Sequence, residues 1–423
     1  MMIVSVKDYR PGMPVLAEGR AVVGIDIGKR THAATAISPQ GEIIAQLVSF
    51  PNTREGFDRL ENEVLRPAGG PGRVLVAMEA TGHYWMCPRA EVERRGYDTV
   101  VLNPIQTNAR CNAQIRKTRN DRIDSASIAR LVLSGEARAS RVPNERTLEL
   151  RLLTRHRRRL LRAIGDQERF AHTLVDRIFP EYADVFSEPF LPSGEQLIRQ
   201  VGLAPDSLLQ RKDQVRDVLR RTSRGRLGPD TIDQLLRSAQ TSIGVQQAQG
   251  VVHQQLTSIL DFRQTLRAQI ALIEDELKRR VQELDSPLLS LGISSILAAA
   301  IHAESDPIAD FACADQYVAY AGLDPSIHDS GDTLHRRGKI SKRGSPVLRH
   351  SLYLAAFVVY RKHNCFQRIY SKHRGKGKGH RNALVIVARH VACVIWRLLT
   401  DDRPFTKRPP KTTVRSSKQH PNA

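Results

Sequence analysis

Two aspartates, Asp121 and Asp124, stand three residues apart in "NDRIDSASIARLV", a segment whose other residues read as a helix. Side chains at that spacing leave one face of a helix, so the two carboxylates are neighbours. Two further acids sit where an acid is costly: Asp26 interrupts the apolar run "AVVGIDIG", and Glu79 closes the apolar run "RVLVAME". A charge in such a run is paid for by a partner or by a function. Gathered into one cluster, four carboxylates repel each other. Hard divalent cations, Mg²⁺ or Mn²⁺, relieve that repulsion and take oxygen ligands of this kind. Each acid taken alone also has a plainer role: Asp121 as a helix N-cap, Asp124 as a surface charge near a helix start, Glu79 as the cap of the helix that follows it.

The elements that would position these acids alternate between strand and helix. After an N-terminal extension (residues 1–20), Ala21 to Ile27, Ala33 to Ile37 and Glu42 to Phe50 read as strands, the last two joined by the turn "SPQG". Thr53 to Leu65 reads as a helix, Arg73 to Met78 as a buried strand, His83 to Arg95 as a helix, and "YDTVVLNP" as a strand stopped by Pro104. This order predicts an α/β layered domain over residues 21–143. Residues 144–285 carry two apolar stripes at helical spacing. The first runs from Leu152 to Ile178 and ends at Pro180; the second runs from Leu256 to Leu284, and the pair predicts an antiparallel helical hairpin or coiled coil. Between them Glu181 to Gly250 is Gln- and Arg-rich and helical in parts. Residues 286–402 read as mainly α: a small-residue helix after Gly292, a second helix ending at Gly322, a loop of Gly, Ser and basic residues, and then "SPVLRHSLYLAAFVVYRKH". Gly292 is the kind of turn that lets a backbone approach a phosphate. Residues 403–423 are Pro- and Lys-rich, a composition that predicts a disordered basic tail.

Composition says what the chain meets. In 423 residues, Lys and Arg number 65 against 44 Asp and Glu, a formal net charge of +21. The sequence pI of 10.2 calls for a polyanion, and phosphate backbones are the usual one. Two basic runs concentrate the charge. "RHRRRLLR", Arg155 to Arg162, is a nucleic-acid contact or a solvated face; "RKHNCFQRIYSKHRGKGKGHR", Arg361 to Arg381, is denser and holds Lys376 and Lys378. Aromatic residues make up only 5%, so recognition of unpaired bases is not the obvious mode. The long apolar run from Ala383 to Leu399 is broken by Arg389, His390 and Arg397, which argues against a membrane span, and no signal peptide precedes the first strand. Five cysteines without a C-x-x-C pair predict reduced thiols in the cytoplasm, with no zinc site and no disulfide framework.

"GIDIGKRTHAAT", "MEATGHYW" and "NDRIDSASIA" together resemble the motif blocks of the DEDD transposases of insertion-sequence family one-ten, relatives of the Piv DNA invertases. The resemblance spans Val22 to Leu133 and implies an N-terminal RuvC-like domain of the ribonuclease H superfamily. It carries four catalytic, metal-binding acids onto Asp26, Glu79, Asp121 and Asp124. Two departures are visible. The family often has Lys-Thr-Asp, whereas "KTRND" inserts two residues between Thr118 and Asp121, and Ser125 stands where the family usually has Ala. A second block, Tyr320 to Ala356, resembles the family's C-terminal transposase domain, in which a serine is the nucleophile; by motif it is Ser330, beside Gly331. Ser341 in "ISKRG" is the competing nucleophile, and Ser345 replaces a common Asn. Attack on a phosphodiester puts charge on oxygens that need cations nearby. Arg336, Arg337, Lys339, Lys342, Arg343 and Arg349 follow Ser330 within twenty residues and join Lys376 and Lys378 as candidate nucleic-acid contacts.

The resemblance implies site-specific DNA recombination: Mg²⁺-assisted attack by Ser330, a phosphoserine intermediate, and strand exchange. It also implies double-stranded DNA substrates (element ends and target), a bridge RNA that chooses them by base pairing, and a composite site shared between protomers. The helical region would mediate the homodimer, synapsis would make a tetramer, and the enzyme would work at the bacterial nucleoid. Three readings compete: a RuvC-like metal-dependent junction endonuclease without a covalent intermediate, an ATP-dependent kinase relative built on "GIDIG", and a non-catalytic nucleic-acid binder. The kinase reading fits poorly, because the sequence shows no convincing later Gly-rich adenosine motif and its charge is wrong for a small-molecule enzyme. The intact acids argue against the binder.

Overall fold

The computed structural model describes residues 14–107, 121–186, 188–328 and 336–406; for 121–123, 326–328 and 336–339 it describes the backbone alone. The chain divides into two compact units, Met1–Asn144 with Ala309–Ala312, and Glu145–Ile308 with Cys313–Ala423.

The first unit is built on strands β1 (Ala21–Asp26), β2 (Thr31–Ile37), β3 (Ile43–Pro51), β4 (Val74–Glu79) and β5 (Asp98–Leu102). They form one mixed sheet in the order β3-β2-β1-β4-β5. β1–β2 and β2–β3 are antiparallel, while β1–β4 and β4–β5 are parallel. This order and these senses are those of a ribonuclease H-like domain. Among the described residues, the sheet is covered by α1 (Arg54–Leu60), which runs on into a π turn at Glu61–Leu65, α2 (Met86–Arg94) and α3 (Asp121–Leu133). Thr53 caps α1 by accepting the Gly56 N–H at 3.2 Å.

β1 and β4 read as continuous apolar runs because both faces of the sheet are buried. On one face Val23, Ile25, Val76 and Met78 pack with Phe57, Leu60, Val64 and Val92. On the other, Val22, Leu75, Ala77, Val100 and Leu102 pack against Ile128, Ala129 and Val132 of α3. α2 starts at Met86 rather than at His83, because the chain first turns over residues 82–85. Residues 309–312, which the sequence assigns to the C-terminal half, belong to this unit. Arg141 pairs with Asp310 at 2.9 Å and lies 4.4 Å over the ring of Phe311.

The second unit is helical. α4 (Glu145–Ile178) and α10 (Gln249–Glu283) bear the two apolar stripes and pack together around Ile164, Leu266 and Ile270. Their ion pairs, Glu149–Arg280, Arg157–Glu274 and Glu168–Arg263, descend along one helix as they ascend the other, so the helices are antiparallel. The stretch between them folds into α5 (Tyr182–Val185), α6 (Pro192–Gln200), α7 (Pro205–Gln210), α8 (Lys212–Ser223) and α9 (Pro229–Gln240). Leu197, Ile198, Val215, Leu219, Leu235 and Leu236 pack there with Phe179 and Tyr182. The length of Glu181 to Gly250 thus serves a core at the joined ends of the two long helices.

α11 (Ser295–Ser305) packs on α4 and α10, and is followed by α12 (Ala314–Tyr320), α13 (Pro346–Lys362), α14 (Asn364–Gly375) and α15 (His380–Asp401). The segment expected as a loop contains an antiparallel hairpin, β6 (Pro325–His328) with β7 (Arg336–Ile340). By length and composition α15 could cross a membrane, but Leu384, Val387, Val391 and Ile395 are fully buried along one face, and the helix packs against α12, α13 and α14. At Gly292 (φ 73°) the turn's carbonyl accepts from Lys362 Nζ at 2.6 Å.

Candidate active site

Asp26 and Glu79 are the last residues of β1 and β4. The parallel register pairs Gly24 with Ala77 and Ile25 with Met78, so the two acids end neighbouring strands side by side. Side chains alternate across a strand. Val22 on β1 and Leu75 and Ala77 on β4 face α3, so Asp26 and Glu79 face it too. Both acids are half-buried. Thr107 donates its hydroxyl to Glu79 Oε2 at 2.6 Å, fixing that carboxylate. The site lies outside the carboxyl ends of parallel strands, where open α/β sheets bind their ligands.

α3 supplies the other two acids. Asp121 opens the helix, with its side chain outside the described residues, and Asp124 lies one turn on, half-buried. The helix sits this close to the sheet because Gly24 has no side chain. A Cβ there would be 2.1 Å from the Ser125 carbonyl oxygen and 2.7 Å from the Ala129 nitrogen. Ser125 is fully buried, and its Oγ lies 2.9 Å from Thr35 Oγ1 of β2, a hydrogen bond that an alanine could not make. Gly24, Thr35 and Thr107 are positioning residues that sequence reading missed; the signals were the glycine inside a strand and the polar departure at Ser125.

Among the described residues, no three His, Cys, Asp or Glu side chains form a group that could hold a metal ion. Two carboxylates on one sheet face, with Asp124 on the helix over that face, are all-oxygen donors and suit a hard divalent cation.

In the second unit Ser330 lies outside the described residues, and Arg336, Arg337 and Lys339 are placed by backbone only, in β7. The motif around them is a clasp. Ser345 N–H donates to the Tyr320 carbonyl at 3.0 Å, Lys342 N–H to that of Gly322 at 3.2 Å, and Ser341 N–H to that of Asp324 at 2.8 Å. Gly344 (φ 111°) leaves no room for a side chain, since a Cβ would lie 2.1 Å from the Tyr320 carbonyl. Arg349 is part of the clasp: its Nη1 donates to the Ala321 carbonyl at 3.0 Å. Ser341 is occupied as well, donating to Asp324 Oδ1 at 2.5 Å. Lys342 and Arg343 are exposed beside the hairpin, and Lys376 and Lys378 are exposed after α14.

Residues 23–180 match the DEDD transposase family model of IS110, and residues 288–371 match the transposase model of the IS116/IS110/IS902 family. The chain belongs to the IS110 family of DEDD transposases. It is therefore an enzyme that acts on DNA. A similar protein is the pilin gene-inverting protein of Moraxella lacunata, 22% identical over 394 residues, which span 92% of this chain and 98% of that protein. Another is the uncharacterized 44.8 kDa protein of insertion element IS116 from Streptomyces clavuligerus, 24% identical over 417 residues, 93% of this chain and 98% of that one. The solved structure of T. thermophilus RuvC in complex with Holliday junction substrate covers 28% of this chain and 99% of its own, at 14% identity and a TM-score of 0.20, a likeness too slight to carry an argument. The DEDD type implies dependence on a divalent metal.

Part of the transposase's basic run on α4 is spent internally. Arg155 pairs at 2.9 Å with Glu304, which is 1% exposed, and Arg157 pairs with Glu274. Ser345, in place of the family's common Asn, caps α13 through the Leu348 N–H and donates to the same Glu304 at 3.0 Å. Burial and the neighbouring Arg162 push the Arg158 guanidinium down, and burial with Arg158 and Arg162 does the same to the His350 imidazole.

One cluster imitates a hydrolytic triad. Ser286 Oγ lies 2.7 Å from His302 Nε2, and His302 Nδ1 lies 2.7 Å from Asp306 Oδ2. Both Ser286 and His302 are only 5% exposed, and Ser286 Oγ also accepts the Leu288 N–H at 3.3 Å. This is a buried polar network that caps a 3₁₀ turn (Pro287–Leu291).

Proposed function

We propose that this IS110-family transposase is a metal-assisted serine recombinase. Asp26, Glu79, Asp121 and Asp124 would hold Mg²⁺, and Ser330 would be the nucleophile. The observation that supports the metal assignment is the placement of Asp26 and Glu79 at adjacent strand ends, on the sheet face covered by the helix that bears Asp121 and Asp124. Mg²⁺, when bound, would polarise the scissile phosphate and stabilise the leaving oxygen.

The chain's own residues do the rest. Ser330 Oγ would form a bond to phosphorus and give up its proton. A sugar oxygen would leave with the displaced strand end and take up a proton, and the phosphoserine would conserve the bond for rejoining. The exposed Lys342 and Arg343 offset charge on the phosphate oxygens. Ser341 is a poorer candidate, because its hydroxyl is already bonded to Asp324. We assign metal binding to residues 21–143 and the nucleophile to residues 286–402. Choice of target by a structured guide RNA is supported by the family resemblance and by the basic surface of Arg361 to Arg381.

The experiment is covalent trapping. Protein co-expressed with RNA from the flanks of its gene is incubated with Mg²⁺ and labelled DNA spanning the element junction, comparing wild type with Ser330→Ala and Asp121→Ala. A protease-sensitive protein–DNA adduct that both substitutions abolish is expected. Cleavage that survives Ser330→Ala without an adduct refutes serine chemistry and leaves a metal-only nuclease.

A further inference from the structure

Composition argues against unpaired bases as a ligand, yet the fold gathers four rings in the most basic part of the chain. Tyr360 of α13 and Tyr370 of α14 have ring centroids 4.6 Å apart. Tyr370 Oη lies 2.7 Å from Nδ1 of His380, the first residue of α15. The His380 ring meets Phe357 edge-on at 6.4 Å, and the Arg361 guanidinium lies over Phe357 at 4.0 Å and near Tyr360 at 5.5 Å.

Packing does not account for this cluster. The interior of these three helices is filled by Leu352, Ala356, Val359, Phe366, Leu384, Val387 and Val391, all buried. Phe357, Tyr360 and Tyr370 are only half-buried, and His380 and Arg361 are exposed. Arg361 to Arg381 contains eight Lys and Arg and no Asp or Glu. Arg368, Lys372, Arg374, Lys376 and Lys378 are exposed on α14 and in the turn that follows it, between the helices that carry the rings. Among the described residues none of these five cations pairs with a carboxylate; burial first, and then Lys376, Lys378 and Lys372, push the nearby His373 imidazole down. Half-exposed rings on a segment rich in Lys and Arg and without Asp or Glu suit a ligand that has both flat π faces and phosphates.

We propose that Phe357, Tyr360, Tyr370 and His380 form a stacking platform for unpaired bases of a single-stranded nucleic acid, with the surrounding cations holding its phosphates. The proposal deepens the function above by naming the strand form that this surface holds, and it rests on that reading only in taking nucleic acid as the ligand. The shared chemistry is a base with a phosphate, supplied by an unpaired DNA strand or by RNA, and the assay separates the two.

The test uses the full-length protein and fluorescence anisotropy at fixed salt, with labelled oligo-deoxythymidine, oligo-uridine and a DNA duplex of equal length. Tyr360→Ala and Tyr370→Ala should each weaken single-strand binding by about ten-fold while leaving duplex binding unchanged, and the corresponding Phe variants should bind as wild type. Preference for the deoxy or ribo strand identifies the source. Ala variants that bind single strands normally, or that lose single strand and duplex equally, overturn the proposal. Should the Ala variants fold poorly, quenching of 2-aminopurine in a single strand by wild type and by the Phe variants replaces them; absence of quenching overturns the proposal equally. Failure here with an intact Ser330 adduct rejects the platform alone. Loss of the adduct with stacking preserved rejects the serine chemistry alone.

Discussion

Substituting Gly24 by Ala tests the placement of the acids through a residue that is not one of them. The added Cβ would lie 2.1 Å from the Ser125 carbonyl oxygen, against an ordinary carbon–oxygen contact of about 3.3 Å, so α3 must retreat by roughly 1.2 Å. Overpacking of this kind costs about 1–3 kcal/mol, a fall of roughly 2–12 °C in melting temperature for a unit of this size. The retreat carries Asp121 and Asp124 away from Asp26 and Glu79, and a misplacement of about 1 Å costs on the order of 100-fold in rate. The assay pairs thermal melting with Mg²⁺-dependent adduct formation. Gly250→Ala is the control: it lies in the first turn of α10, a Cβ there meets nothing within 4 Å, and the change should leave stability and cleavage as in wild type. A Gly24→Ala protein that melts and cleaves like wild type refutes the close approach of α3.

Three further outcomes follow from the same geometry. Thr107→Val removes the donor to Glu79 and should raise the Mg²⁺ concentration for half-maximal activity by about 10- to 100-fold, measured by metal titration of cleavage; an unchanged titration curve denies Thr107 this role. Ser286→Ala should cost about 1–3 kcal/mol in denaturant unfolding and leave the adduct intact, whereas loss of the adduct in a fully folded variant would make the triad-like network catalytic. His32 is 1% exposed between Phe50 and Phe57, and burial holds its imidazole below the ordinary histidine range. Below a pH of about 6.5 the unfolded chain takes a proton there that the folded one refuses, so stability falls with pH by at most about 1.4 kcal/mol per unit until the folded group titrates. In His32→Phe that slope should flatten in urea titrations across the same range.

How much of this was legible in the sequence depended on distance along the chain. β1 and β4 declared themselves because each is an apolar run closed by an acid, and the ribonuclease H-like domain followed from the motif blocks they belong to. The stripes of α4 and α10 were legible as 3.6-residue periodicity. The β6–β7 hairpin was not, because Pro325 to His328 and Arg336 to Ile340 carry no apolar alternation and only the backbone pairing defines them. Arg155 looked like a nucleic-acid ligand because its partner, Glu304, lies 149 residues away. The sequence shows the conformational freedom of Gly292 but not the lysine beside it, since Lys362 is 70 residues on. The aromatic cluster escaped for a similar reason: an aromatic content of 5% says nothing of three helices bringing four rings together.

The most direct test of serine chemistry is to map the residue that carries the DNA. Trapped complex would be digested with nuclease and trypsin, and the peptide bearing the phosphodeoxyribose remnant sequenced by mass spectrometry. The remnant is expected on Ser330, lost in Ser330→Ala and absent without Mg²⁺. A remnant on Ser341 or Ser286, or a cleaved substrate with no modified peptide, contradicts that expectation.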